Sequence, residues 1–166
     1  MVPLYIYFKH WVWQFFTYMF VHGSFWHLLS NMLGVFIFGR IVERRIGTKE
    51  FVLYYLLTGT LSSVSSYFVY LYTGQAYSVV LGASGAMYAL LLLFSVLFPR
   101  AVLLLFGIIP IKAPVLLLIY FLIDFCSQVS GGTGTAYLVH LFGLFWGLLY
   151  VTIRMRMNPL KQWGLM

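Results

Sequence analysis

Five apolar runs, each close to the length a helix needs to cross a bilayer, constrain this chain more than any other feature. They cover roughly Phe25–Val42, Phe51–Tyr72, Ser78–Phe98, Ala113–Ser127 (extended inward from about Ile108) and Ala136–Arg154. A crossing helix takes about 20 residues, because it rises about 1.5 Å per residue through a hydrocarbon layer about 30 Å thick. Hydrophobic residues make up 63% of the chain and charged residues 8%, against about 25% charged in a soluble protein. So few charges cannot coat a water-exposed surface, whereas lipid removes that demand. The expected fold class is all-α, a polytopic transmembrane helical bundle with five spans visible. Residues 1–24 read as an outer-leaflet interfacial segment, 25–154 as the membrane core and 155–166 as a short tail on the cytoplasmic side. Pro110 and Pro114 would interrupt a helix, so Arg100–Ile111 reads as a re-entrant or interfacial stretch leading into the fourth run.

The cations set the orientation. Arg40, Arg44, Arg45 and Lys49 follow the first run, Arg100 and Lys112 flank the link to the fourth, and Arg154, Arg156 and Lys161 follow the fifth. In a five-span chain these regions share one side, which leaves Lys9 alone opposite among the ten Lys and Arg residues. Positive loops mark the cytoplasmic side, so the N-terminus is placed outside and the C-terminus inside; the expected location is the cell (plasma) membrane. The net charge of +7 does not suggest nucleic acid, since no basic stripe interleaves with exposed aromatics. Cys126, the single cysteine, excludes an internal disulfide and a thiolate metal cluster, and no metal or cofactor is expected. The Gly131–Gly134 run lacks the lysine and strand context of a phosphate-binding loop. The first apolar stretch carries Lys9 and His10 and no small-residue cleavage site, so no cleavable signal is expected. Tyr5, Tyr7, Phe8, Trp11, Trp13, Phe15, Phe16, Tyr18 and Phe20 crowd residues 3–24, a composition that suits the membrane interface.

Polar groups in hydrocarbon are unfavourable, so each needs a reason. The first, third and fifth runs start at the outer face. His27 and Asn31 lie in the first turns of the first run, Ser84 about two turns into the third, and His140 about one turn into the fifth. All four therefore fall within roughly 10 Å of the outer surface. Each has an ordinary explanation when taken alone: Ser84 bonded to the carbonyl one turn back, His140 at the interface, Asn31 joining helices. Convergence of all four at one depth weighs against those explanations. Gly82, Ala83, Gly85, Ala86 and Ala89 surround Ser84, and Gly143 and Gly147 follow His140 along one face. Such small residues let helix backbones approach closely, as a hydroxyl-to-imidazole hydrogen bond requires.

These residues resemble a known family. Gly82-Ala83-Ser84-Gly85 is similar to the G-x-S-G nucleophile motif of rhomboid intramembrane serine proteases, and His140 with Gly143 and Gly147 resembles their histidine helix. His22, His27 and Asn31 in VHGSFWHLLSN resemble the H-x4-H-x3-N signature, and FGRIVERRIGTKEF resembles the stretch that continues it. The resemblance implies a six-helix bundle with a water-filled cavity opening outward, and transmembrane protein substrates. It implies Ser84 as nucleophile, His140 as general base, and His27 and Asn31 with the Ser84 backbone N–H as oxyanion hole. Tyr88 would stack on His140 and orient it, with Gly82, Gly85, His22 and Gly143 supporting the site. The family's dyad requires no carboxylate, so Asp124, the acid on the outer side, ranks behind Tyr88 as orienter. Glu43 with Arg44 or Arg45 reads as an inner-face ion-pair network. The family also has a helix ahead of TYMFVHGSFWH, so this chain is expected to lack that helix, as a downstream start or a five-span variant, and to turn over slowly.

Two other readings compete with an endopeptidase of single-span membrane proteins. A catalytically inactive relative acting as a membrane chaperone or quality-control protein would typically lack the serine or the histidine. A small transporter would show ionisable residues at mid-membrane or an internal repeat, and neither is present.

Overall fold

The computed structural model describes residues 1–105, 108–130 and 136–166. Its first helices are short: α1 (Pro3–Lys9) and α2 (Gln14–Thr17), the latter running into a tighter turn at Tyr18–Phe20. The first long helix, α3 (Phe25–Ile46), contains one wide π-helical turn at Val35–Gly39. It starts where the Ser24 side chain accepts the His27 backbone N–H at 3.1 Å, as an N-cap does. It stops at Gly47, whose φ of +85° is a conformation that favours glycine. Helix α4 (Thr48–Tyr72) follows, then α5 (Ser84–Leu97), a hairpin of β1 (Val102–Leu105) and β2 (Ile109–Lys112), and α6 (Ala113–Val129). Helix α7 (Ala136–Leu149) continues into a π-helical turn at Tyr150–Arg154, and α8 (Pro159–Gln162) closes the chain.

Five apolar helices thus appear in the expected order. Three, α3, α4 and Tyr137–Arg154, are long and apolar enough to cross a membrane, while α5 and α6 are shorter apolar helices. The third run is shorter than expected because Ser78–Ala83 is not helical. Gly82 at φ +101° breaks the helical path, so Ser84 opens α5 rather than lying two turns inside it. At the far end Phe98 leaves the helix ahead of Pro99, as the residue before a proline tends to do. The fourth run does not extend inward to Ile108: α6 begins at Ala113, with Pro114 in its first turn, where a proline's missing N–H is harmless. The preceding stretch is non-helical, as expected, but it pairs with itself in antiparallel register, Val102 opposite Lys112 and Leu104 opposite Pro110.

Helix α5 is the buried centre, enclosed from Ala89 through Val96. Close packing around it depends on missing side chains. A Cβ at Gly147 would come within 3.1 Å of the Ala89 Cα and 2.8 Å of the Tyr54 hydroxyl. Lipid is as apolar as leucine, so such packing and polar contacts, rather than hydrophobic transfer, join the helices. Trp146 Nε1–H of α7 donates to Ser65 Oγ of α4 at 2.9 Å, whereas Thr58, Ser62 and Ser66 on the buried side of α4 each donate to the carbonyl four residues back in their own helix. At the cation-rich end Glu50 takes a two-pronged bond from Arg154 at 2.7 and 2.9 Å and the Tyr150 hydroxyl at 2.6 Å. This joins the start of α4 to the end of α7. Glu43 instead accepts the Thr48 hydroxyl at 2.8 Å, so the ion pair at this end runs through Glu50 and not through Glu43 with Arg44 or Arg45. Glu43 and the arginines that follow it are within one helical turn, where adjacent side chains diverge.

The aromatic N-terminal segment divides in two. Tyr7, Phe8, Trp13, Phe16 and Phe20 are exposed, while Tyr18 and Met19 are 2% exposed. Tyr18 donates to the Gly59 carbonyl at 2.8 Å and its own carbonyl accepts the Gly82 N–H at 3.0 Å. The segment is therefore fastened both to α4 and to the turn that leads into Ser84.

Candidate active site

Gly82 sets the site's geometry. Its left-handed backbone turns the chain into α5, and a Cβ there would lie 2.5 Å from His27 Nε2. Ser84, as first residue of the helix, has no preceding helical turn, so the ordinary bond from a helical serine to the carbonyl one turn back cannot form. Its Oγ instead lies 2.7 Å from His140 Nε2. The other ring nitrogen, His140 Nδ1, lies 2.9 Å from Asp124 Oδ2. The Tyr88 ring stacks on the imidazole with centroids 4.3 Å apart and planes 9° from parallel.

Two helices must approach closely for this contact. A Cβ at Gly143 would collide with the Gly85 carbonyl oxygen, and one at Gly85 would come within 2.6 Å of Val139 Cγ1. These contacts surround His140, so helix separation controls the distance from Ser84 to His140. Gly143→Ala should separate α7 from α5, destabilise the bundle by about 1–3 kcal/mol through overpacking, and slow any reaction at Ser84 by about 10²-fold. Thermal unfolding and cleavage rates measure both effects; a variant with unchanged rate would show that this spacing is not critical.

A cavity of about 730 Å³ opens beside the pair, bounded by residues of α3, α5, α6, α7 and β1. His27, Asn31, Ser84, Tyr88 and His140 all line it; otherwise its walls are largely apolar, with Leu103 and Leu104 of β1 among them. Asn31 is 6% exposed, and one N–H of its side-chain amide donates to the His27 carbonyl at 2.8 Å. That is partly the local reading of Asn31; the amide's second N–H remains for another acceptor. His22 packs edge-on against His27, centroids 5.0 Å apart. Burial, and secondarily the neighbouring His27, lower the pKa of His22.

Of the residues singled out in the sequence, Ser84, His140, His27, Asn31 and Tyr88 share this cavity, and Gly82, Gly85, Gly143 and His22 pack behind them. Asp124, which the sequence places behind Tyr88 as orienter, lies at hydrogen-bond distance from His140 while Tyr88 stacks on the same ring. Asp124 is 5% exposed on a helix whose Leu118, Leu122 and Phe125 are exposed. A carboxyl in an apolar helix needs a partner, and among the described residues it has His140. Its position on the stripe of Ala113 and Leu117, two turns beyond the latter, was the available signal. An aligned hydroxyl, imidazole and carboxyl beside further polar donors can activate a serine for acyl transfer.

Comparison with known proteins places the chain in a family. A family model described as Rhomboid domain matches residues 9–157. The chain is 33% identical over 136 residues to Rhomboid protein 1, mitochondrial, of Saccharomyces cerevisiae, covering 79% of this chain and 38% of that protein. It is 35% identical over 147 residues to RHOMBOID-like protein 12, mitochondrial, of Arabidopsis thaliana, covering 76% of this chain and 42% of that protein. Against Rhomboid protease GlpG of Salmonella choleraesuis it is 32% identical over 80 residues, covering 48% of this chain and 27% of that protein. The chain thus spans less than half the length of these curated relatives. No solved structure matches it.

Proposed function

The chain belongs to the rhomboid family, is an integral membrane protein, and, we propose, acts as an intramembrane serine endopeptidase on single-span membrane proteins. The observation that carries this reading is the 2.7 Å approach of Ser84 Oγ to His140 Nε2 at the wall of a cavity within the helical bundle. Transmembrane proteins are the proposed substrates because the cavity's largely apolar wall suits an unwound membrane segment, whose carbonyls a helix would otherwise keep bonded.

In this mechanism His140 Nε2 takes the Ser84 proton as Oγ bonds to the scissile carbonyl carbon. The negative charge moves to the carbonyl oxygen of the tetrahedral intermediate. The Ser84 backbone N–H has no acceptor within its own helix, since it opens that helix, and it sits at the positive end of the helix dipole. With His27 and the free N–H of Asn31 it is assigned to the oxyanion. His140 then gives its proton to the leaving amine as the C–N bond breaks, and water repeats the sequence to release the acyl group. Asp124 holds His140 Nδ1–H and thereby the tautomer with Nε2 free to act as base, while Tyr88 fixes the ring plane. This departs from the dyad that the family resemblance implies, because the carboxyl stands at hydrogen-bond distance.

The site is proposed to face the cation-poor side of the membrane, the extracytoplasmic side of a cell membrane; the yeast and Arabidopsis relatives above are named as mitochondrial. The reading is tested by cleavage of a single-span substrate in reconstituted vesicles. His27→Ala and Asn31→Ala should each slow cleavage by about 10- to 1000-fold, as loss of an oxyanion donor does, while Ser84 keeps its reactivity toward a serine probe. Unchanged rates in both variants would return the two residues to a packing role.

A further inference from the structure

The hairpin and the C-terminal tail enclose a second cavity, of about 750 Å³, remote from Ser84. Its mouth carries Arg100 and Lys112. The Ala113 N–H donates to the Ala101 carbonyl at 3.0 Å, and Lys112 pairs in register with Val102, so the base of the hairpin sets both cations on the wall of one cavity. Both are exposed, and among the described residues neither has a carboxylate partner. The chain's three acids are engaged elsewhere: Glu43 with Thr48, Glu50 with Arg154 and Asp124 with His140.

From this mouth the cavity continues along α6 past Val115, Leu118 and Phe121. Six residues of helix separate the first of these from the last, about 9 Å of depth into hydrocarbon. The opposite wall is the tail, which Trp163 ties to α5: its Nε1–H donates to the Ser95 carbonyl at 3.1 Å. The groove is cationic at its mouth and apolar along its body.

We infer that this groove is a binding site for one anionic glycerophospholipid, with its phosphate on Arg100 and Lys112 and an acyl chain along Val115, Leu118 and Phe121. Charge complementarity selects the headgroup, since paired membrane-surface cations without an acid between them attract anionic lipid. The apolar body selects a lipid over a free phosphate, which would gain nothing from valine, leucine and phenylalanine. The inference rests on the membrane fold and not on the proteolytic reading, so either can fail without the other.

Native mass spectrometry of the full chain, released from micelles containing phosphatidylglycerol and phosphatidylcholine of equal chain length, tests it. The expected result is one retained phosphatidylglycerol, with retention falling about 30-fold when both cations are removed in Arg100→Gln with Lys112→Gln. Arg100→Lys with Lys112→Arg should retain the lipid, which separates charge from folding. Arg44→Gln with Arg45→Gln, which removes two cations on the same side but away from the groove, should also retain it. Leu118→Trp, which fills the apolar body, should lose it. Equal losses from both glutamine pairs, or equal retention of phosphatidylcholine, would reduce the effect to general surface charge and overturn the site. Competition by inorganic phosphate with no effect of Leu118→Trp would assign the cations to a free anion and likewise overturn it.

Discussion

Ser84→Ala and His140→Ala are each expected to abolish cleavage, and the double variant to be no slower than either single one. The reason is that neither group works alone. A serine hydroxyl is a weak nucleophile until a base removes its proton, and the imidazole here faces that hydroxyl at 2.7 Å. Losing either one removes the same step, so the two effects do not add; residual rate then comes from the oxyanion donors and binding alone. The loss in kcat should reach about 10⁴-fold or more, with helical content unchanged, since Ser84 lies at a helix start and leaves no large void as alanine. A double variant much slower than both singles would mean that the two residues act independently, against the proposed pair.

Asp124→Asn is the second large effect expected, a fall in kcat of about 10²- to 10⁴-fold with KM little changed. Asparagine keeps the shape of the side chain, yet its amide can donate to His140 Nδ1 and hold the proton on Nε2. That tautomer cannot accept the Ser84 proton. A merely structural role for Asp124 would instead appear in thermal stability, and in KM along with kcat. Tyr88→Phe, which keeps the stacked ring and removes only the hydroxyl that bonds Asp124, should stay within a few-fold of the parent. If Asp124→Asn cleaves at the parent rate while remaining folded, the stacked tyrosine alone orients the histidine, as the family resemblance implied.

The helix order and the approach of Ser84 to His140 were legible because both follow from coarse features. Apolar length locates helices, alternation of cation-rich loops aligns their ends, and the glycines at 85, 143 and 147 announce close helix contact. The start of α5 was not legible from hydropathy, since Ser78–Ala83 is apolar enough to continue a helix. What stops it is one left-handed residue, Gly82, whose partners Tyr18 and His27 come from distant parts of the chain. Pro110 signalled the break before α6, but strand pairing between Val102–Leu105 and Ile109–Lys112 depends on register, which two short runs do not specify. Composition cannot distinguish a ring facing lipid from one buried on Gly59, as Tyr18 is. The family resemblance gives Asp124 no part in the dyad, and only its place on the inward stripe of α6 points to a buried partner. Glu43 likewise lost its expected arginines to geometry, since Arg154 reaches Glu50 from the other end of the chain.

An activated Ser84 within the membrane is tested most directly by labelling with a fluorophosphonate. The probe forms a P–O bond with a serine Oγ only where a base has raised its nucleophilicity. In sealed vesicles, an impermeant form should label the parent protein at Ser84 from the cation-poor face, and should leave Ser84→Ala and His140→Ala unlabelled. Undiminished labelling of Ser84→Ala, or a folded parent that takes up no probe from either face, would contradict the account.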